Sequence, residues 1–288
     1  MKVLIYLPVF NDETRIERAI KSIVMQTFTD WQLIISDNKS KDNTYSLIQP
    51  YLIDERIRSV SLKTHVTGGE NVNNIENFIS SEDDFDLVCL IASDDYWGDE
   101  NYLSNLVSIF LENTRSTRVK LAIPIFNKIS NMNSNTPTKL TIKIENKLYL
   151  FRVFKLFRNW GVAHLLYGLY DKSFFIEILT DKFSRLNKSN YSDWWWAYFV
   201  LKKTSPVLCF RSEYFKDDYK FNAPDRISRI HNIKLTFSFV PNLFRGKFSK
   251  ISLRNSQDFF IIFFFAISKT FFDLLRTVGR VLKRVLKV

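Results

Sequence analysis

The sequence predicts an α/β fold with a mostly parallel central sheet flanked by helices, and three observations predict it. Short β-rich runs alternate with helical patterns through residues 1–100, the rhythm of strands covered by helices. Polar clusters stand directly after three of those runs. Apolar residues at 46% and charged residues at 25% match a globule able to bury a full core, which excludes a disordered chain, a collagen and a polytopic membrane protein.

The strands read as 2–7, 31–36, 57–62 and 86–92, in a βαβαβαβ order. Between the first two, Thr14 with Glu17 has the spacing of a capping box, and Ile16, Ala19, Ile20, Ile23 and Val24 recur on one helical face that would pack on the sheet. Asp42-Asn43 offers a cap for a second helix, which Pro50 bends or ends; a third runs from Asn74 to Ile79 and a fourth begins near Asp99. Residues 113–147 are rich in Asn, Ser, Thr and Lys and read as connecting structure around one strand at 119–126. Residues 151–220 are aromatic-rich and read as the second half of the same domain.

The net charge of +11 is not evenly spread. Residues 201–288 hold 18 basic and 6 acidic side chains, and residues 1–200 hold 23 and 24, so a surface gripping nucleic acid along the whole fold is not expected. In the last 35 residues a nine-residue apolar run, Phe259 to Ile267, leads into Phe271, Leu274, Leu275, Val278, Leu282 and Val285 at helical spacing. Arg276, Arg280, Lys283, Arg284 and Lys287 interleave, with no acid after Asp273. Nine apolar residues fall short of the roughly 20 that span a bilayer, so the segment reads as a basic amphipathic helix lying on an anionic membrane surface. Cys89 and Cys209 lie far apart in apolar runs, which gives no support to a disulfide framework or a zinc site. The apolar start ends at Pro8 without a cleavage signal and reads as a strand rather than a leader.

Ligands of open α/β sheets bind beyond the carboxyl ends of the strands, so the residues there carry the functional reading. They are Pro8-Val9-Phe10-Asn11-Asp12-Glu13, Ser36-Asp37-Asn38-Lys39-Ser40-Lys41-Asp42-Asn43-Thr44, and Ser93-Asp94-Asp95-Tyr96-Trp97. Any one alone is ordinary helix-capping chemistry. Two adjacent carboxylates, Asp94 and Asp95, repel each other unless a cation sits with them, and hard oxygen ligands with open positions suit Mg²⁺ or Mn²⁺ on a diphosphate. Asp83-Asp84 reads instead as a solvated loop.

In order and spacing these blocks, with Gln26-Thr27-Phe28 and Trp31 to Thr44, resemble the inverting, nucleotide-sugar-dependent glycosyltransferases of family 2, which have the A-type Rossmann-like fold. The resemblance implies a glycosyltransferase domain over 1–220, with a nucleotide-sugar-binding half at 1–100 and an acceptor half at 101–220, followed by the basic extension 221–288. It implies that Pro8, Val9, Asn11 and Glu13 enclose the nucleobase and that Asp37 holds the uracil or ribose. Asn71 and Asn73 fall where the family has its third nucleotide-contacting loop, with Ser93 and Asp94 in the acidic motif. Asp94, with Asp95, would coordinate the metal. The motif commonly opens with another Asp, where this chain has Ala92.

The same resemblance implies a general base at Asp193 in Tyr191-Ser192-Asp193, with Ser192 where the family usually has Glu. Trp194 or Trp195 would offer a face to a sugar ring, and His164 would border the acceptor pocket. His65 and His231 carry no role, and the basic residues near Arg211, Lys216 and Lys220 offer charge to a diphosphate, with solvated surface the simpler reading. A UDP-sugar donor, a saccharide or lipid-linked saccharide acceptor and a place at the cytoplasmic membrane face follow as expectations. A sugar nucleotidyltransferase would want Gly and Lys in its first loop, and Pro8 to Glu13 contains neither. The Ala92 and Ser192 departures leave open a binding protein whose sugar site has decayed.

Overall fold

The computed structural model describes residues 1–79, 84–114, 119–129, 138–140, 162–180, 196–197, 199–200, 203–204 and 206–217. Ser192, Asp193, Trp194, Trp195, Lys220 and the extension 221–288 lie outside them. The described residues fall within Met1–Tyr219, which forms one compact unit.

Three strands of the first half, β1 (Val3–Val9), β2 (Trp31–Asp37) and β3 (Ile57–Ser61), run parallel, and β1 pairs on its other side with β4 (Leu87–Leu90), also parallel. All four match predicted strands to within two residues. Leu4, Ile5, Tyr6 and Leu7 of β1 are buried in succession rather than alternately, as expected of a strand covered on both faces. Helix α1 (Ile16–Val24) buries Ile16, Ala19, Ile20 and Ile23 on the predicted stripe, each Ile contributing roughly 1.5–3 kcal/mol relative to exposure. Val24 departs from that stripe: it ends the helix and is exposed. The chain turns there toward Asp99 and Glu100, which accept from Gln26 Nε2 at 2.7 Å and from the Thr27 N–H at 2.8 Å.

The capping box at Thr14 and Glu17 does not form. Asn11 takes a left-handed φ of 48°, so the Asp12 carbonyl receives the Arg15 and Ile16 N–H groups, while Glu17 pairs with Lys21 and Tyr51. A capping box forms instead at Thr67 and Glu70 and opens α3 (Gly68–Asn73). The third predicted helix, Asn74 to Ile79, is the shorter α4 (Glu76–Ile79); α3 precedes it unpredicted, so Asn71 and Asn73 ride a helix rather than a loop. Helix α2 (Thr44–Ile48) gives way to a 3-10 turn at Gln49–Ile53 where Pro50 falls, as its missing N–H requires.

Beyond β4 the sheet becomes mixed. Its order is β3-β2-β1-β4-β8-β6-β9-β5, with β8 (Leu169–Asp171) antiparallel to both β4 and β6 (Leu121–Ile129). β7 (Thr138–Leu140) pairs with β6 from off this path, and β9 (Val207–Asp217) runs parallel to β6. Pro124 cannot donate to the ladder, and the register slips there, from Pro124 opposite Cys209 to Ile125 opposite Glu213. Past that slip β9 pairs antiparallel with the two-residue β5 (Tyr96–Trp97), next to the acidic cluster. Gly98 permits this approach, since a Cβ there would meet the Phe215 ring at 2.6 Å and the Glu213 carbonyl at 3.0 Å.

Helices α5 (Tyr102–Thr114) and α6 (Lys172–Thr180) complete the described elements. Trp196 of the tryptophan run is core: its indole N–H donates to the Tyr170 hydroxyl at 2.9 Å and its ring meets Phe175 edge-on. Cys89 and Cys209 are free and buried, and burial pushes the Cys89 thiol up to about 12.

Candidate active site

The turns after β1, β2 and β4 meet at the carboxyl edge of the parallel strands. The first two are laced together. Asn11 N–H donates to Ser40 Oγ at 2.9 Å, Asn11 Oδ1 accepts from the Lys41 N–H at 2.8 Å, and the Asn38 N–H donates to the Val9 carbonyl at 2.8 Å. Glu13 Oε2 accepts from the Asn43 N–H at 2.9 Å, and the Glu13 N–H donates to Asp42 Oδ2 at 3.2 Å. Asp37 is buried and its Oδ1 accepts from the Ser40 N–H at 3.1 Å, closing the turn in which Lys39 has a φ of 65°. Pro8 is half-buried and Val9 buried beneath this lacing, while Phe10 stays 40% exposed with its ring 4.3 Å from that of His65. His65 packs against this wall, and its Nδ1 lies 3.2 Å from the Asn38 carbonyl.

Asn71 braces the wall from behind. Its Oδ1 accepts from Ser36 Oγ at 2.5 Å, its Nδ2 donates to the Ser36 carbonyl at 3.1 Å, and its own carbonyl accepts from the Tyr6 hydroxyl at 2.8 Å. Burial carries the Tyr6 phenol well above its ordinary pKa, so it remains a donor there. Asn73, on the same helix, is also buried.

The turn after β4 joins this wall through Asp12. Ser93 Oγ donates to Asp12 Oδ2 at 2.6 Å and Arg15 Nε donates to Asp12 Oδ1 at 2.6 Å. Arg15 Nη1 also stands 3.8 Å from Asp94 Oδ2, and Arg18 Nη2 donates to the Asp94 carbonyl at 2.9 Å with its guanidinium over the Tyr96 ring. Asp94 keeps 41% of its side chain exposed. Its partial burial pushes the carboxyl above the usual range, against the pull of Arg15 and Lys216 and with a smaller push from Asp12.

Asp95 is different. It is 2% exposed, and its Oδ2 accepts from the Tyr214 hydroxyl at 3.0 Å with Lys216 Nζ at 3.6 Å. The Tyr214 hydroxyl in turn accepts from the Ala92 N–H at 3.2 Å. Burial, reinforced by Asp95, keeps Tyr214 protonated far above its ordinary range. The carboxylates expected to share one cation are thus unlike: Asp94 faces outward, and Asp95 is engaged by residues of β9.

Sequence reasoning missed Asp12, Arg15, Arg18 and Tyr214, and of its two readings of Lys216, a charge for the diphosphate or solvated surface, it preferred the second. Lys216 lies in the cluster with its ammonium 4.6 Å from the centre of the Tyr167 ring. Burial opposes its charge, but Tyr167, Asp95 and Asp94 outweigh that and raise its pKa. Arg211 is exposed, as expected. His164 falls on a 3-10 turn, Val162–Tyr167, that also carries Tyr167. Among the described residues no group of three or more His, Cys, Asp or Glu side chains is arranged to hold a metal ion.

A family model described as "Glycosyl transferase family 2" matches residues 4–179, more than half of the sequence. The chain belongs to this family. A GalNAc(5)-diNAcBac-PP-undecaprenol beta-1,3-glucosyltransferase of Campylobacter jejuni is 36% identical over 72 residues, 25% of this chain and 23% of its own length. UDP-Glc:alpha-D-GlcNAc-diphosphoundecaprenol beta-1,3-glucosyltransferase WfgD of Escherichia coli is 29% identical over 114 residues, 40% of this chain and 43% of its own. The matches thus span less than half the length of these relatives. Among solved structures, S. aureus TarS 1-349 in complex with UDP-GlcNAc superposes with a TM-score of 0.57 at 15% identity, covering 88% of this chain and 77% of that one. A mannosyltransferase of Pyrobaculum calidifontis in complex with GDP-Man and Mn2+ superposes at 0.53 and 12% identity, covering 83% and 64%. The fold of this family 2 chain is accordingly the A-type, Rossmann-like glycosyltransferase fold.

The bridge through Tyr214 leads to a stability prediction. Tyr214→Phe keeps the ring but removes the hydroxyl that accepts from the Ala92 N–H and donates to Asp95, and should cost about 1–3 kcal/mol in urea denaturation. An unchanged midpoint and slope would show that the bridge contributes nothing.

Proposed function

We propose that the chain transfers a sugar from a UDP-sugar to a lipid-linked saccharide with inversion, at the cytoplasmic face of a membrane, in cell-surface glycan synthesis. The observation that carries this is the half-exposed Asp94 carboxylate at the mouth of a rigid wall formed by the β1 and β2 turns. Pro8, Val9, Asn11 and Glu13 would enclose the base, Asp37 would face the base or ribose, and Ser93 would set the position of Asp94 through Asp12. Asn71 and Asn73 would reach the nucleotide from the helix after β3, where Asn71 also holds Ser36 of the wall. The printed names of the relatives, which contain UDP-Glc and diphosphoundecaprenol or PP-undecaprenol, support the donor and acceptor classes.

The donor set fits Mg²⁺ or Mn²⁺. These ions take one or two carboxylates plus phosphate oxygens and waters, so a single outward Asp94 suffices and a cluster of three protein ligands is not needed. Asp95, held by Tyr214 and Lys216, braces Asp94 rather than sharing the ion equally. When bound, the metal would offset the charge building on the nucleoside diphosphate. Asp193 would accept the acceptor hydroxyl's proton as its oxygen attacks the anomeric carbon from the face opposite the diphosphate. His164, Trp194 and Trp195 would border the acceptor.

No described helix is long and apolar enough to cross a membrane. The extension 221–288 would hold the enzyme at an anionic membrane surface, since each basic residue there is worth about 1 kcal/mol.

Three outcomes follow. Asp94→Ala should weaken UDP binding in Mn²⁺ and lower transfer by about 10² or more, whereas Asp84→Ala, which removes only a surface ion pair with Lys2, should do neither. Calorimetry with and without Mn²⁺ reads the first effect, and equal effects of the two changes would refute the assignment. Asp193→Asn should leave UDP binding nearly intact and lower turnover by about 10² or more; a folded variant working at the wild-type rate removes Asp193 from the mechanism. Truncation before Ser256 should release the protein from anionic liposomes at low salt while donor hydrolysis survives, and full-length protein that ignores such liposomes would overturn the membrane reading.

A further inference from the structure

Strand β9 delivers two side chains to the acidic cluster from the far end of the domain. Tyr214 and Lys216 are two residues apart and so share one face of the strand, and both reach Asp95. Tyr214 already meets Asp95 at 3.0 Å. Lys216 stands 3.6 Å away, longer than the 2.7–2.9 Å of a close ammonium–carboxylate hydrogen bond, and keeps 27% of its side chain exposed.

The other cations of the cluster are held more tightly. Arg15 donates to Asp12 at 2.6 Å, and Arg18 donates to the Asp94 carbonyl at 2.9 Å while its planar head lies on Tyr96. Lys216 combines a compact charge and a rotatable stem with a long 3.6 Å pairing to Asp95, its ammonium also over the Tyr167 ring at 4.6 Å, and it feels the charge of Asp94 as well as that of Asp95.

We propose that Lys216 is a catalytic residue of the transfer, its ammonium moving from Asp95 onto the departing diphosphate. This rests on reading the cluster as the donor site. As the acceptor oxygen bonds to the anomeric carbon, the bond from that carbon to the β-phosphate oxygen breaks, and its electron pair leaves with the nucleoside diphosphate. The acceptor proton passes to the general base. The leaving diphosphate thereby gains a negative charge that one divalent ion does not fully offset, and a cation already beside Asp95, next in the chain to Asp94, needs little reorganisation to meet it.

The test compares the full chain with Lys216→Met and Lys216→Arg, using UDP and uridine as binding probes and the release of UDP from UDP-glucose and UDP-GlcNAc as turnover. Lys216→Met should bind UDP about tenfold or more weakly, bind uridine as the wild type does, and lose kcat beyond any change in KM; Lys216→Arg should recover most of both losses. A residue serving only as a counter-ion for Asp95 would lower the melting temperature without this split, so a folded Lys216→Met with wild-type UDP affinity and kcat overturns the proposal. Should Lys216→Met fail to fold, the double change Lys216→Met with Asp95→Asn removes both charges together, and its comparison with Asp95→Asn alone decides on the same readouts. Wild-type protein that binds no UDP would instead overturn the donor-site reading, and with it the role of Lys216.

Discussion

The carboxylate of Asp95 lies almost wholly out of water, and a charge in that position must be met from within the protein or it unfolds the region around it. Tyr214 and Lys216 meet it, and both come from β9, about 120 residues later in the chain. This pairing fixes the turn after β4, because the same Tyr214 hydroxyl receives the Ala92 N–H. Everything outward of that turn follows from it, including the direction in which Asp94 faces. The slip of β9 at Pro124 is what lets the strand reach β5 in the register that places Tyr214 opposite Trp97.

The second constraint is backbone satisfaction at the carboxyl edge. Two loops side by side carry many N–H and carbonyl groups that water alone would otherwise serve, and here the side chains of Asn11, Glu13, Ser40 and Asp42 serve them instead. A wall so laced has few soft dihedrals left. Left-handed backbone at Asn11 and Lys39 is held by these contacts, and the same residue types that stabilise the turn leave Phe10 at the surface beside His65. Asp12 then transmits the position of this wall to the acidic turn through Ser93 and Arg15. Among the described residues three acids, Asp12, Asp94 and Asp95, and three bases, Arg15, Arg18 and Lys216, converge there.

Much of this could be read from local pattern. The four parallel strands, the buried stripe of α1 and the clusters after β1, β2 and β4 come from hydrophobic runs and turn chemistry confined to a few neighbouring residues. Where the reading failed, a competitor from elsewhere had taken the group in question. Glu17 was drawn to Lys21 and Tyr51 instead of closing a capping box.

The sequence by itself determined the family, the α/β frame and the edge of the sheet where chemistry belongs, because periodicity, caps and motif spacing are local properties of the chain. Only the tertiary structure decided that the two aspartates differ, that Asp12 and Arg15 tie the loops together and that Lys216 is not solvated surface. Apart from the local Asp12–Arg15 pair, those contacts join residues far apart in the chain, Arg15 with Asp94 and Lys216 with Asp95, and are set by strand order and register. A charge at position 216 looks the same in sequence whether its strand ends in water or beside a buried carboxylate, and the pairing of β9 with β5 is what separates the two.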